Sequence, residues 1–262
     1  MSTMNLTGLN VLLCRPEQAN TRLQDKIVAA GGRCLHIPCM EIAQLEEAAA
    51  IAAIKAGVMN LDQYAFVIFI SQNAVKYAEP WIDQYWPQLP MGQQYLAIGA
   101  ATAAAARGMA FAELSSAEGA MDSEALLELK QLQDLSDKKV LIFRGKGGRE
   151  QLAQTLSQRG AKVDYCELYR RIRPATLSAA LAGSQFSDLP GRKVILVHSG
   201  ESLENLHHGI EEAGLGAWLS YRLICPSLRV AEMAKSLGFK QVLVASNAGE
   251  PAMLEALTRL AS

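Results

Sequence analysis

Seven short apolar runs punctuate the chain: "NVLLCR", "AFVIFIS", "QYLAIG", "KVLIFR", "KVILVHS", "RLICPS" and "QVLVAS". Each ends at Gly, Ser, Pro or Arg and is followed by an amphipathic, alanine-rich segment. Continuous apolar runs are what strands need when both of their faces are covered. Their alternation with helical patterns predicts βα units and parallel sheets, hence an α/β protein. The alanine-rich composition favours helices in the intervening segments.

The pattern also repeats. Val11-Leu12 and Val140-Leu141 lie 129 residues apart, and that offset brings Arg15 onto Arg144, Leu23 onto Leu152 and Gly31 onto Gly160. "VLLCRPEQANTRLQDKIVAAGGRC" thereby aligns with "VLIFRGKGGREQLAQTLSQRGAKV" without a gap. At an offset of 128, Ser71 of "IFISQNAV" falls on Ser199 of "LVHSGESL". Two copies of one α/β unit account for these matches. Two stretches without helical periodicity, "CLHIPCMEI" (34–42) and "VDYCELYRRIRP" (163–174), occupy equivalent places in the copies. Pro38 and Pro174 bias the residues before them towards extended backbone. Read as antiparallel linker strands, they divide the chain into a discontinuous domain, 1–38 with 172–262, and a continuous one, 39–171. A plain split near residue 130 is the rival.

With a net charge of −1 there is no bulk electrostatic case for nucleic acid or an acidic membrane surface. No stretch approaches the ~18 unbroken apolar residues of a membrane span. The opening "MSTMNLTGLN" lacks the basic-then-apolar order of a signal peptide. The five cysteines are scattered and form no CxxC pair, so they read as reduced core residues of a cytoplasmic protein.

"FRGKGGRE" is the stretch that most suggests a ligand. It is neither a P-loop nor a GxGxxG turn. It is read as a helix N-terminus carrying Gly145, Gly147 and Gly148 with Arg144, Lys146 and Arg149, where backbone N–H groups and the helix dipole favour an anion. The bland reading is a tight turn with solvated cations. Hydroxyls gather at other strand ends. Ser71 and Asn73 follow one run, and Ser199 and Gly200 follow its counterpart. Thr102 opens an alanine helix with Ser227 in the equivalent place, and Ser123 opens another helix with Glu124 in its first turn. Strand carboxyl ends are where open α/β sheets bind ligands, although helix N-caps alone yield the same list. Tyr169 lies among Arg170, Arg171 and Arg173, which lower a phenol's pKa only if they reach it. His207 and His208 share a helical pattern with Glu204 and Glu211 but lack a third ligand at sensible spacing, so no metal site is expected.

The series "FISQNAV", "AIGAATA", "SEALL", "FRGKGGRE…L…RGAKVDYCELYRR" and "PSLRVAEMAKSLG", in this order, resembles the uroporphyrinogen-III synthase family. The resemblance implies two flavodoxin-like domains joined by a two-stranded β linker. It implies closure of linear hydroxymethylbilane to a macrocycle, with loss of water and inversion of ring D through a spiro intermediate. It implies no metal, nucleotide or organic cofactor. Tyr169 matches the family tyrosine thought to help the hydroxyl leave, and Ser71, Thr102, Ser199 and Ser227 match positions lining the cleft. The anions expected at the glycine turn then become the substrate's carboxylates. Leu228 stands where some relatives carry a hydroxyl, and Asn73 where some carry arginine. The expected partner is the tetrapyrrole substrate, with transient contact with the upstream hydroxymethylbilane synthase, no nucleic acid and no membrane; the chain is expected to be a monomer. Single losses at Ser71, Thr102, Ser199 or Ser227 are expected to matter less than loss of the Tyr169 hydroxyl. Two rivals stay open on the residues alone: a two-lobed protein that binds a small molecule without chemistry, and a nucleotide-binding regulatory domain.

Overall fold

The computed structural model describes residues 4–16, 21–108, 115–116, 123–148 and 150–261. Its strands are β1 (Leu9–Leu13), β2 (Arg33–His36), β3 (Glu41–Gln44), β4 (Phe66–Phe69), β5 (Gln94–Ala97), β6 (Ser115–Ser116), β7 (Lys139–Gly145), β8 (Lys162–Ile172), β9 (Arg192–Leu196), β10 (Arg222–Cys225) and β11 (Gln241–Val244). Its helices are α1 (Thr21–Ala29), α2 (Ala48–Met59), α3 (Gln72–Tyr85), α4 (Ala100–Arg107), α5 (Ser123–Leu127), α6 (Gln151–Gln158), α7 (Leu177–Gly183), α8 (Gly200–Glu212), α9 (Leu228–Ser236) and α10 (Glu250–Ala261). The chain divides into two compact units, Met1–Glu41 with Ile172–Ser262, and Ile42–Arg171.

The first unit carries a sheet in the order β11-β10-β9-β1-β2, parallel at every pair. The second carries the order β3-β8-β7-β4-β5-β6, parallel from β8 to β6. Leaving out β3, the two orders superimpose when β7 is set on β1, β8 on β2 and β4 on β9. This is the correspondence that the 129- and 128-residue offsets predict. Gly31 and Gly160, matched by the first offset, both end a helix with positive φ, 83° and 94°. Glycine tolerates that left-handed conformation without steric cost.

Each sheet is covered on both faces, which explains why its strands lack polar alternation. In β7, Leu141 and Phe143 join one core cluster while Val140 and Ile142 join another. Leu12 of β1 likewise packs opposite to Val11 and Leu13. The helices present apolar stripes to these faces, such as Ala74, Val75, Ala78 and Ile82 on α3. The stretch 163–174 falls almost wholly within β8, which is laddered to β7; β3 lies at its other side. All five cysteines are free, and all but the half-buried Cys34 are buried. Among the described residues no helix is long and apolar enough to cross a membrane.

Candidate active site

In the second unit the strand order reverses direction between β7 and β4, and the loops that leave their carboxyl ends carry the glycine turn and Ser71. Such switch points are the usual ligand crevices of open α/β sheets. Tyr169 reaches this point from β8 by an irregularity in the ladder. Arg144 is opposite Glu167, but Gly145 is opposite Tyr169, so β8 holds one extra residue, Leu168. Strict alternation would set Tyr169 on the opposite face from Leu168. The bulge turns it instead into the same core cluster as Cys166 and Leu168.

Three contacts fix the Tyr169 ring. It lies over Gly145, where a Cβ would approach ring atom Cε2 to 2.4 Å. It stacks on Tyr77 of α3 at a centroid distance of 5.4 Å. Its own hydroxyl is 2.9 Å from Ser71 Oγ. The Tyr169 carbonyl accepts the Lys146 N–H at 2.7 Å. Tyr77 is held in turn, its hydroxyl donating to the Ile42 carbonyl at 2.9 Å. Burial, then the neighbouring Tyr169, pushes the Tyr77 phenol's pKa up. Ser71 is the N-cap of α3: its backbone is extended and its Oγ accepts the Ala74 N–H at 3.1 Å. Tyr169 is only 2 % exposed, whereas Ser71 is partly exposed. Asn73, the second residue of α3, is also partly exposed.

The glycine turn departs from its expected form. α6 begins at Gln151 with Glu150 as its cap, so the turn does not form the helix N-terminus. Its amides are partly used: that of Lys146 as above, and that of Gly147 on Glu167 Oε1 at 3.4 Å. Arg144 is not a solvated cation. It is 3 % exposed, with its guanidinium 4.3 Å from the Tyr165 ring centre and Nε donating to the Gly145 carbonyl at 3.2 Å. Each glycine has its own reason. Gly145 makes room for Tyr169, Gly148 for the Arg144 guanidinium, which a Cβ there would meet at 2.5 Å, and Gly147 adopts φ of 73° beside open space. Arg149 and the side chain of Ser123 lie outside the described residues; α5 does start at Ser123. Arg170 pairs with Glu47 at 2.6 Å and Arg173 with Glu212 at 2.8 Å, so these two cations serve carboxylates.

The corresponding edge of the first unit repeats the cap and changes its surroundings. Ser199 caps α8, accepting the Ser202 N–H at 3.1 Å, and donates its proton to Ser202 Oγ at 2.9 Å. Gly200 is buried against Met233. Ser227 caps α9, accepting from Val230 at 3.4 Å, and Leu228 beside it is 73 % exposed. Thr102 is not the equivalent of Ser227. The cap of α4 is Gly99, with φ of 83°, and Thr102 is the third helical residue and buried. Glycine replaces the capping hydroxyl there, which the sequence match between the two loops concealed. His198, just before Ser199, holds both ring nitrogens buried without a hydrogen-bond partner among the described residues. Burial, then the charge of Arg15, lowers its pKa to about 3. His207 leans on Glu211 at 3.4 Å, and among the described residues no group of His, Cys, Asp or Glu is placed to hold a metal ion.

Sequence reasoning missed Tyr77, Tyr165 and Glu167. Tyr77 had a signal, since it shares a helix face with Trp81 four residues on. Tyr165 and Glu167 had the period-two spacing of one strand face but nothing that tied them to Arg144.

The family model described as uroporphyrinogen-III synthase HemD matches residues 21–255. The chain belongs to the uroporphyrinogen-III synthase family. It is 33 % identical over 255 residues to the uroporphyrinogen-III synthase of Escherichia coli K12, covering 95 % of this chain and 100 % of that one. It is 37 % identical over 164 residues to that of Proteus mirabilis, covering 63 % and 81 %. In fold it is similar to the uroporphyrinogen-III synthetase of Helicobacter pylori, with a TM-score of 0.58 and 16 % identity over 96 % of this chain and 99 % of that one. A mutant uroporphyrinogen III synthase from Thermus thermophilus gives 0.55 and 15 % over 96 % and 98 %.

Proposed function

We propose that this chain cyclises hydroxymethylbilane to uroporphyrinogen III, a cyclising hydro-lyase step of tetrapyrrole biosynthesis. The observation that carries the reading is the full-length match to the Escherichia coli enzyme, at 33 % identity. The site's chemistry suits it. Departing hydroxide needs a proton, and the paired hydroxyls of Tyr169 and Ser71 are a source. Loss of water leaves a cationic azafulvene; attack by the substituted carbon of ring D gives the spiro intermediate whose reclosure inverts the ring. The protein's remaining work is to hold ring D for that attack. Asn73, Lys146, Gly147, Ser199, Gly200 and Ser227 are the residues of this reading that bind substrate carboxylates, with Ser123 at the start of α5 and Thr102 in the first turn of α4 beside them. Arg144 and Gly145 shape the site instead. The lobes are 1–38 with 172–262 and 39–171. The protein works as a cytoplasmic monomer that receives substrate in transient contact with hydroxymethylbilane synthase.

The test is a coupled assay in which hydroxymethylbilane is generated in situ and the type I and type III isomers are resolved. The type III isomer should dominate. Only type I, the product of spontaneous closure, would contradict the reading and leave a binding protein.

A further inference from the structure

We propose that Ser71, not Tyr169, hands the proton to the departing hydroxyl, and that Tyr169 acts through Ser71. This rests on the cyclisation reading above. A serine oxygen has two lone pairs and one proton to give. One lone pair of Ser71 Oγ takes the Ala74 N–H at 3.1 Å. The direction of the 2.9 Å contact with Tyr169 follows from burial. Ser71 is the one hydrogen-bond partner of the Tyr169 hydroxyl among the described residues, and Tyr169 is 2 % exposed. If Ser71 donated, the phenolic proton would be left buried without an acceptor, which is costly. Tyr169 therefore donates and fills the second lone pair. The Ser71 proton is left over, on a partly exposed residue at the carboxyl end of β4.

Access and acidity are thus divided between two residues. Tyr169 is enclosed in the core cluster of its own unit, so the relay assigns contact with the substrate to Ser71. Ser71 meets solvent, but an aliphatic alcohol is by itself far too weak an acid. As the substrate's C–O bond breaks, with the electron pair leaving on oxygen, the Ser71 proton moves to that oxygen and water forms. The Tyr169 proton moves to Ser71 Oγ in the same event, and the negative charge rests on the phenolate. The N-terminus of the 14-residue α3, at Ser71, favours negative charge there. In the spiro intermediate the original bond from ring D's substituted carbon to its bridging methylene breaks, ring D's free α-carbon attacks that methylene, and the hydrogen this carbon loses as the pyrrole regains aromaticity returns the proton to the phenolate. The balance is one water released and no proton consumed.

The first unit supplies an internal contrast. Ser199 has the same cap geometry, φ of −156° against −163°, yet its proton is given to Ser202. Among the described residues no tyrosine hydroxyl is hydrogen-bonded to it. Equal caps therefore predict unequal roles, and Ser71 is raised above the other strand-end hydroxyls.

The experiment compares type III formation by wild type, Ser71→Ala, Ser71→Asn, Ser71→Thr, Tyr169→Phe and the double variant Ser71→Ala/Tyr169→Phe. Asparagine caps a helix as well as serine but has no hydroxyl, so Ser71→Asn keeps α3 and removes the relay. Ser71→Asn and Tyr169→Phe should each lose about 10²–10⁴-fold in turnover. The double variant should fall no further than the worse single, because both act on one proton. Ser71→Thr should recover to within about tenfold of wild type. In mixtures of H₂O and D₂O the wild-type rate should bow downward with deuterium content, since two protons move together, and in Ser71→Asn the bow should vanish. A folded Ser71→Asn with wild-type turnover, or single losses that multiply in the double variant, would overturn the relay while leaving the cyclisation reading intact. A wild-type protein that makes only the type I isomer would remove both.

Discussion

A single absent carbon decides where the phenol sits. Alanine at Gly145 would bring its Cβ to 2.4 Å from the Tyr169 ring, so either the ring leaves Ser71 or β7 and β8 move apart. Overpacking of this kind costs about 1–3 kcal/mol. Gly145→Ala should lower the unfolding free energy read from urea titrations by that amount and depress type III formation together; a variant unchanged in both would show that the ring has room to move. His198 makes a different demand. It is kept neutral in the fold, with a pKa lowered to about 3, while the unfolded chain takes up a proton near the ordinary histidine value of about 6.5. Between these values the unfolded state binds more protons, so stability falls as pH drops below about 6.5 and rises with pH. At pH 5 the loss from this one group is about 2 kcal/mol relative to pH 7.5. Urea titrations of wild type and His198→Gln at both pH values should show a flatter pH dependence in the variant. Parallel curves would mean that His198 takes up its proton alike in the folded and unfolded chain.

At the scale of elements, serine caps recur with one backbone geometry at the starts of α3, α8 and α9. Among the described residues Ser227 makes no further side-chain hydrogen bond, so Ser227→Ala should cost about 1 kcal/mol and Ser227→Gly only a few tenths. Equal destabilisation by alanine and glycine, read from urea midpoints, would argue for a role other than capping. These caps were legible in the sequence, as were the strands, because a strand buried on both faces cannot hide its apolar run. The duplication was legible for the same reason. The bulge in β8 was not: one extra residue leaves no mark in composition, yet it decides which face Tyr169 takes. Arg144 misled because a charged side chain beside glycines reads as solvent-facing, and only the Tyr165 ring and Glu167 across the ladder explain its burial. Thr102 and Ser227 were misaligned because Gly99 caps α4 through its backbone alone.

For the whole molecule, two copies of one sheet have diverged at the same edge. In one, the switch point carries Tyr169, Gly145 and Ser71; in the other, the matching strand ends carry Arg15, His198 and Ser199. In one copy a bulge at Leu168 turns a phenol towards the serine cap, and in the proposed reading that pair supplies the acid chemistry. The output that integrates all of this is the ratio of isomers, since hydroxymethylbilane closes spontaneously to type I whenever the protein is slow. The most direct measurement is therefore that ratio for Tyr169→Phe, a variant that keeps the buried ring and deletes one hydroxyl. Type III formation should fall by about 10²–10⁴-fold and type I should rise in its place. A folded Tyr169→Phe protein with the wild-type rate and the wild-type ratio would contradict the account, leaving a site that works by positioning alone.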